Sequence, residues 1–232
     1  MRRELQLQSK KLLATTLIAA ALMSTTLIAQ EIDVKISNNT NGIYFTPLLV
    51  SAHPSTTALF ISGEAASTHL EAMAEGGDVS GLVGDLDAVN ADSTTNPAEG
   101  LLVPGASTMT TLVTVDENTN LSIVAMMLPT NDGFVALNNW KIPTEAGTYK
   151  ININAYDAGS EANSELAADI PQPPVYTLDA AATGFTTATE EGFVHIHRGN
   201  IGDSNDAGGK SALNALTQRW LNPVATITVT VK

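Results

Sequence analysis

Apolar and polar residues alternate with a period of two in several separate stretches of this chain, and that period belongs to strands with one buried face. Ile32, Val34 and Ile36 alternate with Asp33 and Lys35, and the turn formers Asn38, Asn39, Asn41 and Gly42 follow. A second strand is expected over 44–50. After Pro104 and Gly105 the strand texture is nearly continuous: 108–115, 121–128, 134–140 and the alternating Tyr149, Ile151 and Ile153 are divided by polar turns at 116–120 and 129–133. Two closing strands are expected over 193–197 and 224–231. One segment carries a helical signature, since Thr68 and Glu71 have capping-box spacing ahead of Leu70, Ala72, Met73 and Ala74, and Gly76 and Gly77 stop the run. The Gly-, Asp-, Asn- and Thr-rich stretch 76–100 and the proline-containing stretch 157–179 are expected as long surface loops. The pattern predicts an all-β chain: an antiparallel β-sandwich with one short helix and long loops.

The first 29 residues depart from this pattern. Arg2, Arg3, Lys10 and Lys11 precede an apolar run over 12–29 that ends at the small residue Ala29. That layout predicts a secretory signal peptide over 1–29 and a mature domain over 30–232, secreted or periplasmic and not an integral membrane protein after cleavage. The competing reading, a membrane anchor, is weakened by Thr15, Thr16, Ser24, Thr25 and Thr26 inside the run.

Composition narrows the function. There is no Cys, so disulfides, thiolate metal sites and lipid attachment through cysteine are excluded. The whole chain carries a formal charge of −13, and without the expected leader 7 basic residues face 23 acidic ones. Such a surplus excludes nucleic acid as a partner, because phosphate binding needs clustered Lys and Arg. No Gly-x-Ser-x-Gly, phosphate-binding Gly-rich loop or His-Glu-x-x-His occurs in the sequence. A non-enzymatic role is therefore expected.

Candidate chemistry gathers at one end of the strands. If 121–128, 134–140 and the strand through Tyr149 run up, down and up, the turns holding Asp132 and Asp157 lie together at the upper end. Thr130 and Asn131 flank one aspartate, and Ser160, Glu161 and Asn163 follow the other, a set of hard oxygen donors that suits Ca²⁺. Asp and Asn are also ordinary turn residues that need no ion. His195 and His197 are two apart and share a strand face with Phe193, and such a pair can hold Zn²⁺ or Cu²⁺. The favoured reading gives the two rings a structural role, hydrogen-bonded to loop carbonyls, because no second ligand pair is apparent. His53 and His69 fall in predicted loops, and Trp140 and Trp220 are expected as packing residues.

Four motifs carry a resemblance. Leu128-Pro129-Thr130-Asn131-Asp132-Gly133-Phe134-Val135, Tyr156-Asp157-Ala158-Gly159-Ser160-Glu161-Ala162-Asn163, Gly192-Phe193-Val194-His195-Ile196-His197-Arg198-Gly199 and Asn222-Pro223-Val224-Ala225, in this order, resemble the spondin domain in its bacterial form. Its animal relatives are the amino-terminal spondin domains of F-spondin and mindin, which are extracellular matrix proteins. The resemblance implies an antiparallel sandwich with one calcium ion whose aspartate ligands match Asp132 and Asp157. The animal pattern has a further glutamate ligand on the preceding strand, and here 107–115 holds no carboxylate. Asp116 and Glu117 lie in the turn at the opposite end. Glu161 is taken as the third metal ligand, while Glu190 and Glu191 could substitute geometrically, and the family pattern itself licenses none of the three. The resulting expectation is an exported, calcium-binding adhesion module whose partner is an extracellular or cell-surface protein or glycan. The alternatives are a metal-dependent enzyme using His195 and His197, or a structural subunit that assembles as a homo-oligomer through its sheet edges.

Overall fold

The computed structural model describes residues 29–115, 117–185, 189–205 and 207–232. The expected leader, apart from Ala29, and Asp116 lie outside the described residues. Among the described residues no helix is long and apolar enough to cross a membrane.

The period-two segments form strands. In chain order these are β1 (Gln30–Asn38), β2 (Tyr44–Phe45), β3 (Leu49–His53), β4 (Asp92–Thr95), β5 (Ser107–Thr114), β6 (Asn120–Leu128), β7 (Gly133–Lys141), β8 (Gly147–Asp157), β9 (His195–Ile196) and β10 (Ala225–Val231). They pair in the order β4-β3-β6-β7-β8-β10-β1-β5, with β2 on β6 and β9 on β8. Every pairing is antiparallel. Strand β8 turns the corner: its first part, through Ile153, pairs with β10, and its last part, from Asn154 to Asp157, pairs with β7. A strand that changes partners along its length folds one sheet over the other. The two ends of the path meet again where Asp92 Oδ2 accepts hydrogen bonds from Val115 N and Asn118 Nδ2.

Ile32, Val34 and Ile36 point inward and pack with Val50, Ile123, Val135, Ile153, Ile227 and Val229 as the main core. Strand β6 reads as an unbroken apolar run because both its faces are covered, and all nine residues are buried. Its second face, with Phe134 of β7, lies under two helices, α1 (Thr68–Gly76) and α2 (Ser80–Asp87), through Leu70, Met73, Leu82 and Leu86.

The sandwich expectation holds, with local corrections. Helix α1 is capped by Ser67, whose side chain accepts from Leu70 N, one residue before the expected Thr68. The stretch expected as loop 76–100 contains α2 and β4. The segment 44–50 is broken between β2 and β3 around Pro47, which cannot donate to a ladder. The strand expected at 193–197 shortens to the two residues of β9. His53 sits in β3, fully buried between Pro54 O and Ser122 Oγ, and not in a loop.

Candidate metal centre

Antiparallel pairing of β6, β7 and β8 brings the β6–β7 turn and the end of β8 to one end of the sandwich, as the strand directions imply. The turn is buried although it is polar: Thr130, Asn131 and Asp132 expose 2% or less of their surface. Buried polar groups must find partners, and Thr130 supplies several by donating to Met127 O and accepting from Gly133 N. Asp132 clasps the next loop. Its Oδ2 accepts from Ser160 N at 2.8 Å, Glu161 N at 3.0 Å and Ser160 Oγ at 3.3 Å. Glu161 thus meets Asp132 through its backbone, not its carboxylate.

Asp157 ends β8. Its Oδ1 accepts from Gly159 N at 2.8 Å, an Asx turn, and its Oδ2 from Asn163 Nδ2 at 2.7 Å. Two-residue β9 pairs with this end so that His195 lies directly opposite Asp157. The register is held from both sides, by His197 N donating to Ala155 O and Gly192 N donating to Gly159 O. His195 Nε2 consequently lies 3.6 Å from Asp157 Oδ1 and 3.9 Å from Glu191 Oε2, and His197 Nε2 lies 3.9 Å from Asp157 Oδ2. Ligand atoms of Asp157, Glu191 and His195 all fall within 4.8 Å of one another, the one such cluster of acidic and imidazole groups among the described residues.

Four buried atoms around this point lack a hydrogen-bond partner within the protein: Asp132 Oδ1, Glu161 Oε2, His195 Nε2 and His197 Nε2. Among the described residues, Asp132, Asp157, Glu161 and Glu191 have no ion pair with Lys or Arg. Burial, reinforced by the Asp157 carboxylate, raises Asp132 to about 6 against the pull of the Glu161 and Ser160 N–H groups. Burial also lifts Glu161 to about 7, with Glu75, Asp132 and Asp169 adding repulsion. His197 is driven down to about 4, first by burial, with Asp157 opposing and His195 assisting. The site gathers carboxylates without a basic partner and buried polar atoms without hydrogen bonds, conditions that a divalent cation would relieve.

The structure therefore gathers Asp157, Glu191 and His195, with His197 and Asp132 close around them. Glu161 is not part of that three-residue cluster. The sequence offered Glu191 only as an alternative ligand. Its spacing of four from His195 carries meaning only once the short β9 places them both beside Asp157. Asp157, Glu191, His195 and His197 open on a cavity of about 490 Å³ that Phe193, Arg198 and Ile201 also line.

The family model described as Spondin_N matches residues 37–200, a span that holds Asp132, Asp157, Glu161, Glu191, His195 and His197. No curated protein matches the chain.

Proposed function

The chain belongs to the Spondin_N family, and from that premise we propose that it is an exported, non-enzymatic binding module whose loop end is braced by a divalent cation at Asp157. The single observation that carries the brace is the convergence of Asp157, Glu191 and His195 with unpartnered atoms of Asp132 and His197. An ion there ties the β6–β7 turn, the loop after β8 and the segment before β9 into one surface, so their ordering cost is met before a partner arrives. The partner is a protein or glycan at the cell exterior. The apolar run before Gln30 and the extracellular setting of animal spondin domains support export. Calcium, the ion the resemblance implies, would be held by oxygen from Asp132, Asp157 and Glu161.

Thermal unfolding with and without ions tests the brace. A ligand that binds only the folded state at a hundredfold excess over Kd adds about 2.7 kcal/mol, or about 5–10 °C for a domain of this size. The purified chain should melt higher in at least one of calcium, magnesium, manganese and zinc, each tried alone, than in chelator, and Asp157→Ala should remove the difference. Equal melting in every ion and in chelator overturns the reading.

A second reading, a metal-dependent enzyme, is favoured by the cavity beside the cluster, because catalytic zinc keeps three protein ligands and one open position. Turnover of an ester, peptide or glycoside panel by the metal-loaded chain, lost in His195→Ala, would replace the binding module.

A further inference from the structure

We infer that the cation at Asp157 is a borderline first-row transition ion of the zinc class, ligated by Asp157, Glu191 and the Nε2 of His195, with His197 held outside the shell as the group that orients Asp157. The inference rests on the brace proposed above and names the ion and the division of labour between the two imidazoles.

The tautomers divide that labour. His195 Nδ1 lies 3.1 Å from the carbonyl oxygen of Ile196. A carbonyl can only accept, so in the neutral ring Nδ1 carries the proton and Nε2 presents a bare lone pair. That lone pair faces the Asp157 and Glu191 carboxylates at 3.6 and 3.9 Å. Electron pair against anion is repulsive, and the distances are too long for a hydrogen bond were Nε2 protonated instead. Two donors that share an ion with bonds of about 2.0–2.2 Å sit a little over 3 Å apart. The observed spacing is therefore that of a slightly open ligand shell, and a backbone carbonyl on the far nitrogen is the usual way a metal-bound histidine is fixed.

His197 has the opposite arrangement. Its Nδ1 accepts from Gly199 N at 3.0 Å, so in the neutral ring Nε2 carries the proton and offers no lone pair. The ring is buried, with the side chain 6% exposed, its Nε2 has no partner, and it aims at Asp157 Oδ2. A small closing movement of Asp157 onto an ion brings that N–H within reach of Oδ2 and leaves Oδ1, on the His195 side, for the metal. Imidazole nitrogen beside carboxylate suits zinc and its first-row neighbours. Calcium asks for six to eight oxygens, and both Asp157 oxygens already accept a protein hydrogen bond while facing a ring.

The experiment is ion binding to the full chain stripped by chelator, with Zn²⁺ alone, Ca²⁺ alone and Co²⁺ alone as probes, read by calorimetry, bound-metal analysis and the visible absorption of Co²⁺. One equivalent of zinc should bind, calcium at the same concentration should not, and cobalt should develop a visible band. His195→Ala and Glu191→Gln should each weaken zinc by more than about tenfold, the loss found even for residues outside the shell. His197→Phe should weaken zinc about 10–100-fold while keeping one equivalent and shifting the cobalt band, and His197→Gln, which restores an N–H, should recover much of the loss. His69→Ala, whose ring pairs with Asp85 on the surface, should change nothing, and far-ultraviolet circular dichroism confirms that each variant is folded. Calcium binding without zinc binding overturns this inference and leaves the brace standing. Zinc binding indifferent to His195→Ala overturns the assigned shell, and failure of every ion to bind removes the brace as well.

Discussion

Gly159→Ala is the substitution whose cost the structure fixes most directly. Gly159 lies two residues past Asp157 with φ at 70°, the left-handed region that a side chain disfavours. An added Cβ would stand 2.7 Å from Phe193 N and 2.9 Å from Phe193 C, both backbone atoms that cannot swing away. The left-handed conformation costs about 1–2 kcal/mol for a residue with a Cβ, and forcing extra volume into a packed site adds about 1–3 kcal/mol. Together these lower the melting temperature by about 4–20 °C in a domain of this size. The alternative to paying that cost is movement of the 192–194 segment, which breaks the Gly192 N to Gly159 O bond and draws Glu191 and His195 away from Asp157. Divalent-ion affinity should fall together with stability. Gly84→Ala is the control, since an added Cβ there meets nothing and its position inside α2 favours alanine by about 0.5–1 kcal/mol. Melting by scanning calorimetry, with and without added ion, decides it. A Gly159→Ala chain that melts like the unmodified one and binds ion with unchanged affinity would refute the close packing of the 159 and 193 segments on which the site depends.

Two further outcomes are expected. Burial holds His53 below the ordinary histidine value, although the Pro54 carbonyl pulls the other way. The unfolded chain therefore takes up a proton as pH falls through about 6.5 while the folded chain resists. The contribution of His53 to stability is lost from about pH 7 to about pH 5, so over that range the urea midpoint of the unmodified chain should fall relative to that of His53→Gln; a constant difference between the two would show that His53 does not titrate differently on folding. Glu165, 5% exposed, accepts from Ile201 N, Gly202 N and Ser211 Oγ and so ties the loop after β8 to the 201–211 segment. Glu165→Gln turns one acceptor toward donors and should cost about 1–3 kcal/mol in urea unfolding, with no loss expected if that clasp is absent in solution.

How much of the fold was legible depended on how a segment is buried. Strands β6, β7 and β8 follow one another through short turns, and their hydrophobic patterns were long enough to read. Strand β1 shows the cleanest alternation because only one of its faces meets the core. Helix α2 escaped notice because only Leu82 and Leu86 are buried, Val79 at its N-cap supplies no capping side chain, and glycines surround it. Strand β4 is Asp-Ser-Thr-Thr, without an apolar residue, and exists because β3 offers it a ladder. Tertiary pairing made both elements, and a local pattern does not record it.

The candidate site divides along the same line. Asp132 and Asp157 could be brought together from sequence because two consecutive antiparallel strands leave their turns at one end. Glu191 and His195 could not, since more than thirty residues separate them from Asp157 in the sequence, and a two-residue ladder, Tyr156 with Ile196 and Asp157 with His195, sets their place. The spacing of His195 and His197 correctly indicated a shared side, for both Nε2 atoms turn toward Asp157. Spacing is silent on which nitrogen carries the proton. That is settled at the far side of each ring, by the Ile196 carbonyl in one case and the Gly199 N–H in the other. Two histidines on one face, equal in sequence, thereby become unequal in chemistry: one has a lone pair to give to a cation, and the other has only a proton to give to the cation's carboxylate.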